Sequence, residues 1–226
     1  GRVLSGGVEK ALLAVALAWS LFQLWFASPI PFMVGFGVFN DTEARSIHLA
    51  FAMFLAFAVF PATRTPFQLA LGLGVPALMC LLFIYGAKED ESIWWIPVVV
   101  AVIMAAVALG SPRDRIAPWE WALALVGAAA ALYLFVFYDG IADRVGAPNQ
   151  TDFVVAAIGI ILLLEAARRS LGPALMLVAT AFLAYTFLGP LMPSIIAHKG
   201  NSLGEVVNHQ WITTQGVYGI ALGVST

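Results

Sequence analysis

Cysteine is almost missing from this chain of 226 residues: Cys80 stands alone. That excludes an internal disulfide and any metal centre built on thiolates, and a lone apolar thiol in a helix needs no further role. Charge is scarce too, at 11% of residues against about 25% in soluble domains. Eleven Lys and Arg against thirteen Asp and Glu leave a net charge of −2. There is no basic patch to neutralise phosphates, which excludes nucleic acid as a partner. G-x-S-x-G, H-E-x-x-H, the Walker loop and the dinucleotide fingerprint are all absent, so the usual hydrolase, metalloprotease and nucleotide-binding chemistries have no footing. An intramembrane enzyme would need a convergent pair or triad of polar groups inside helices. None can be assembled, so neither enzyme activity nor a cofactor is expected.

What the chain does have is apolar length: 62% of its residues are hydrophobic and mean hydropathy is +0.93. A bilayer core of about 30 Å needs about 20 apolar residues in a helix, with roughly 17–25 tolerated. Seven runs meet or approach this: Val8–Ala27, Asn40–Phe60, Thr65–Gly86, Trp94–Leu109, one from Pro118 to Tyr138, Thr151–Ala167 and Pro173–Gly189. The fold class is therefore all-α, a polytopic bundle of about seven spanning helices. Val8–Ala27 is too long for the apolar region of a signal peptide, and Ser28-Pro29-Ile30-Pro31 is a poor cleavage site, so it reads as a retained helix. The opening Gly1-Arg2 has no Met, which predicts further residues ahead of it.

Punctuation follows helix chemistry. Asn40 with Glu43 has the spacing of a capping box. Pro66 after Thr65 stands where a missing N–H costs nothing. Gly72, Gly74 and Pro76 predict a kink in the third run. Thr151 is the cap candidate for the sixth. The loop after the first run, with Phe32, Phe36 and Phe39, is expected at the interface. So are Trp94, Trp95, Trp119, Trp121, Tyr133 and Tyr138 at run ends, where an amphipathic ring faces lipid and headgroup together.

Loop charge sets an orientation. Arg2 and Lys10, Arg64, Arg113 and Arg115, and Arg168 and Arg169 mark one set of connections. The others are neutral or acidic: Asp41 and Glu43; Lys88 outweighed by Glu89, Asp90 and Glu91; Arg144 outweighed by Asp139, Asp143 and Asp152. The two kinds alternate without exception, which predicts a cytoplasmic N-terminus and an external tail beyond Pro190.

Ionisable groups within spanning runs are the functional candidates. Glu165 lies three and four residues before Arg168 and Arg169, a helical spacing that allows ion pairs. These three are candidates for a structural pair or for contact with lipid headgroups. His48, one to two turns into the second run, is a candidate proton relay or, far more commonly, a histidine with a simple hydrogen-bond partner. His198 and His209 have no third ligand at metal spacing. Glu9 with Lys10, and Glu120 beside Trp121, read as interface charges.

The tail from Ala197 to Thr226 is the one long segment that does not span. Ser202 and Glu205 form a capping box, followed by Leu203, Val206, Val207 and Trp211 on one helical face. A short amphipathic helix of this kind is expected in the membrane interface, with Trp211 toward lipid. Gly216, Gly219 and Gly223 then punctuate an apolar run that predicts a further membrane segment.

Three stretches resemble a known family: Ser111–Leu125 (SPRDRIAPWEWALAL), Val154–Leu175 (VVAAIGIILLLEAARRSLGPAL) and Leu188–Thr226, the last through its Ala-His-x-Gly turn, its Thr213-Thr214-x-Gly216 step and its Gly219-Ile-x-Leu-Gly-Val-Ser ending. With the second run they cover roughly half the chain. The sequence is similar to the fused membrane component of a tripartite ATP-independent periplasmic (TRAP) transporter of the TAXI type. In that family a small membrane subunit, Q, precedes a large elevator-type subunit, M, and an external binding protein delivers organic acids or related solutes. The resemblance implies a Q-like scaffold over residues 1–170, a linker helix and external loop over 171–200, and the start of an M-like domain over 201–226. Here Phe60-Pro61-Ala62 and Ser111 are separated by an extra hairpin near 66–110, where the family passes directly between the two. The resemblance further implies a bacterial or archaeal cytoplasmic membrane, lipid contacts, and a coupling ion, Na⁺, bound with the substrate beyond Thr226. Read without it, the helices fit equally a non-transporting anchor or assembly module.

Overall fold

The computed structural model describes residues 1–62, 65–88, 91–144, 146–219 and 222. Arg64, Glu89, Asp90 and Gly223–Thr226, used above for loop charge and for the tail's continuation, lie outside the described residues. The described chain is helical throughout: α1 (Gly6–Ala27), α2 (Ile30–Val34), α3 (Asp41–Val59), α4 (Pro66–Gly86), α5 (Trp95–Leu109), α6 (Pro118–Val136), α7 (Tyr138–Ala142), α8 (Gln150–Ser170), α9 (Pro173–Leu188) and α10 (Leu203–Val207), which passes into a π-helical turn, Asn208–Ile212. Six of these are long and apolar enough to cross a membrane, which makes this a multi-pass membrane protein by length and composition. The fourth run departs from expectation in length. Helix α5 has 15 residues, roughly 22 Å at the α-helical rise, short of a bilayer core of about 30 Å.

Capping chemistry fixes the helix starts. Asn40 and Glu43 bond reciprocally across the first turn of α3. Thr65 accepts from the Gln68 N–H at the start of α4, and Ser202 and Glu205 close the box that starts α10. The cap of α8 is not Thr151, as the sequence suggested, but Asn149 paired with Asp152. Thr151 offers an oxygen as well, but Asp152 at the third helical position answers Asn149 from both sides, so the helix begins two residues earlier than a Thr151 cap would start it.

The centre of the bundle is α8, with 61% of its apolar window buried, and the periphery is α1, with 6%. Helices α3, α6 and α8 pack on one another, and the α3–α6 approach is close because Gly127 faces Met53 and Phe57. The hairpin of α4 and α5 lies against α8 and α9. One apolar core runs without a break from α3 to the tail: Phe57, Met79, Phe83, Leu134, Ile161, Leu203, Trp211 and Tyr218 belong to it together. The core is thus shared by residues on both sides of position 200.

Candidate functional site

At one end of the bundle, charged side chains from three parts of the chain meet in a buried chain of ion pairs. Glu165 takes Arg168 in a bidentate grip, with Nε on Oε2 and Nη2 on Oε1 at 2.7 Å each. Its Oε1 also accepts from Arg169 Nε at 2.7 Å. Arg169 reaches on to Glu120 Oε1 at 2.7 Å, and its guanidinium lies 4.9 Å over the Phe57 ring. Glu120 pairs in turn with Arg2 and accepts from Ser111 Oγ at 2.6 Å. At the far end, Arg168 Nη1 bonds the Gln68 carbonyl and side chain at 3.1 and 2.8 Å. Arg2 also donates to the carbonyls of Phe57 and Ala58, closing the last turn of α3 where orphan carbonyls need donors. Glu120 is fully buried and Glu165 and Arg168 are each 3% exposed.

Helical spacing let the sequence pair Glu165 with Arg168 and Arg169, and both pairs form. Arg2, Gln68, Ser111 and Glu120 were missed as members. Glu120 read as an interface charge, yet it is the junction between two arginines. No local pattern could have joined residues 2 and 120; only the packing of α1, α3, α6 and α8 does so. Burial, and then the charge of Arg169, lowers Arg2 to about 10, so it remains a cation at neutral pH beside Glu120.

A second polar knot forms at the opposite end. Asp152 accepts from Tyr133 OH at 2.7 Å and from Arg144 Nε and Nη2 at 2.9 Å each. Those bonds to Asp152 push the Arg144 guanidinium above its ordinary range. Tyr133 therefore serves inside the protein, where the sequence placed it at the lipid interface. Trp95 is buried as well, with its N–H on the Ser92 carbonyl. Of the run-end rings, Trp94 stays strongly exposed. Nearby, a polar cavity of ≈ 410 Å³ is lined by Lys88, Glu91, Gln150, Ser202, Glu205 and Asn208. Its carboxylates are engaged with their own chain: Glu91 with the Lys88 N–H and Glu205 with the Ser202 N–H, a bond that holds the Glu205 carboxyl below its usual range.

The tail departs furthest from expectation. Leu203, Val206, Val207 and Trp211 do lie on one face, but that face meets protein instead of lipid. Trp211 is completely buried. It donates from its ring nitrogen to the Ala130 carbonyl at 3.0 Å, lies edge-on to Tyr218 and packs onto Gly159 of α8, where a Cβ would overlap the indole. Tyr218 OH and Ser46 Oγ both donate to the Ala131 carbonyl, at 2.9 and 2.6 Å. Three donors from separate elements thus converge on two consecutive carbonyls of α6. Burial pushes the Tyr218 phenol up, so it donates throughout the physiological range. The Ala-His-x-Gly turn closes on the end of α9: the Gly200 N–H donates to His198 Nδ1 at 3.1 Å, which leaves Nε2 to donate to the Tyr185 carbonyl at 3.0 Å.

His48 accepts at Nδ1 from Trp19 Nε1 at 3.3 Å, edge-on at 5.0 Å between rings. Among the described residues no three His, Cys, Asp or Glu side chains gather as a metal site. Compared with protein-family models, with characterised proteins and with solved structures, the chain matches none.

Proposed function

We propose that this chain is the membrane scaffold portion of a secondary transporter driven by an ion gradient, Na⁺ by the resemblance. It would take up organic acids or related solutes delivered by a periplasmic binding protein of the TAXI type. On this reading the N-terminus is cytoplasmic, the buried arginine network lies at the cytoplasmic end, and residues 201–226 begin the M-like transport domain. Substrate and ion would bind beyond Thr226.

The observation that carries the reading is how the bundle uses its charge. Among the described residues the buried carboxylates are Glu120, Asp152 and Glu165, and each is held by arginine within the chain. Carboxylates that coordinate a transported ion must exchange partners during a cycle, whereas these sit in closed pairs that reward one fixed arrangement. That is the behaviour of a static frame. Two of the three stretches that carry the resemblance, Ser111–Leu125 and Val154–Leu175, supply Ser111, Glu120, Glu165, Arg168 and Arg169 to one network. The third seats Trp211 and Tyr218 in the same core, a firm base for a domain that follows.

The test uses the full reading frame that contains this chain, reconstituted in proteoliposomes with its periplasmic binding protein. Uptake of radiolabelled organic acids should require both the binding protein and an inward Na⁺ gradient. A reading frame that stops shortly after Thr226, or one that leaves the vesicles inert to every solute and gradient, refutes the proposal and favours the anchor reading.

A further inference from the structure

Between α1 and α3 the chain forms a small apolar knob that touches little of the protein. Phe32 is 72% exposed, Met33 79% and Phe36 76%. Yet this is not an open loop. Met33 N–H bonds the Pro29 carbonyl at 3.1 Å, and Phe36 N–H the Pro31 carbonyl at 3.3 Å. Gly35, at φ 65°, caps α2 with its N–H on the same Pro31 carbonyl. Ile30 N–H is taken by Ser28 Oγ at 3.3 Å, and Pro29 and Pro31 have no N–H to satisfy. The segment therefore presents large apolar side chains on a backbone most of whose donors are met internally or removed. Water does not demand that combination; a hydrocarbon environment does.

From these observations we infer that α2 and Phe36 form a lipid anchor that inserts into the acyl region of the leaflet at the α1–α3 end of the bundle. The occupant is the bilayer because the knob continues a surface already facing it. Leu13, Leu17, Leu21 and Leu24 of α1 are all exposed, and no charged residue occurs between Lys10 and Asp41. The structure also separates the three phenylalanines that the sequence grouped together. Phe39 turns inward onto Phe22 and Phe135, whereas Phe32 and Phe36 point away. The anchor has work to do there, because α1 buries only Leu12 and is held at its middle by Trp19 on His48 and at its two ends. Arg2 straps the first end to α3 and to Glu120; Trp25, bonded to the Gly37 carbonyl at 3.1 Å, ties the second to the knob.

The inference does not depend on the transport reading. Its test is a fluorescent depth measurement on the full-length protein in phosphatidylcholine vesicles. Phe32→Cys and, separately, Met33→Cys are made in a Cys80→Ser background and labelled with an environment-sensitive nitrobenzoxadiazole dye; His209→Cys, an exposed tail position, is the comparison. Both knob positions should give blue-shifted emission that is lost when vesicles contain phosphatidylcholine with a doxyl quencher near the headgroup, while His209→Cys emission stays aqueous. Water-like emission at the knob overturns the inference. So does blue-shifted emission that the lipid quencher leaves intact, because the knob would then be covered by protein.

Discussion

Glu165→Gln is the substitution that tests the arginine network most directly. The network holds three cations, Arg2, Arg168 and Arg169, against two carboxylates, Glu120 and Glu165. Glutamine keeps the size of the side chain and removes the charge, leaving three buried cations on one carboxylate. Removing one partner from a buried pair costs about 3–5 kcal/mol, a large share of the roughly 5–15 kcal/mol that holds a typical protein together. A loss of about 4 kcal/mol is roughly a thousandfold in the folded-to-unfolded ratio. Arg169→Met makes the opposite change, because Arg2–Glu120 and Arg168–Glu165 survive as two matched pairs. It should cost about 1.5–3 kcal/mol, the scale of a charge-assisted hydrogen bond, and so rank below Glu165→Gln. The assay is thermal unfolding in detergent, followed by tryptophan fluorescence, together with abundance in the membrane fraction. Uptake per folded molecule in proteoliposomes should be unchanged for both variants. If Arg169→Met proves the more damaging, the charge reasoning fails. If Glu165→Gln unfolds as the native protein does while uptake falls, Glu165 acts in transport and the static-frame reading fails with it.

Three further outcomes are expected. Gly159→Ala should cost about 1–3 kcal/mol by overpacking, because the new methyl overlaps Trp211; adding Trp211→Leu should recover part of that loss, and additive losses in thermal unfolding would show that the contact is not decisive. His209→Cys in a Cys80→Ser background should react with an impermeant thiol reagent outside intact cells, and Asp114→Cys only after lysis; the reverse pattern overturns the orientation. Glu205 is a carboxyl whose folded-state pKa is depressed, first by the Ser202 N–H and secondarily by Lys199. Its contribution is complete above the unfolded value of about 4.3 and lost as pH falls through the lower folded value. Hydrogen exchange at residues 203–207, corrected for intrinsic rates, should therefore accelerate below that window in the native protein, and a Glu205→Gln variant with the same pH response would refute the assignment.

The helices of this protein follow from its sequence because they rest on local facts. Apolar length, proline at first turns, and caps such as Asn40 with Glu43 and Ser202 with Glu205 act within a few residues. So did the pairing of Glu165 with Arg168 and Arg169, which the helical repeat places together. Tertiary structure decided the rest. An apolar face at positions 203, 206, 207 and 211 is equally satisfied by lipid or by protein, since hydrophobic burial has no direction. Only the gap over Gly159 and the Ala130 carbonyl drew Trp211 inward. Glu120 beside Trp121 likewise has the pattern of an interface charge, and its partner Arg2 is 118 residues away in the sequence. Residues so far apart carry no mutual signal in one sequence; they meet because α1, α3, α6 and α8 end at the same level. Sequence determined which segments are long and apolar enough to cross a membrane, and packing determined which of their polar groups would meet inside the bundle.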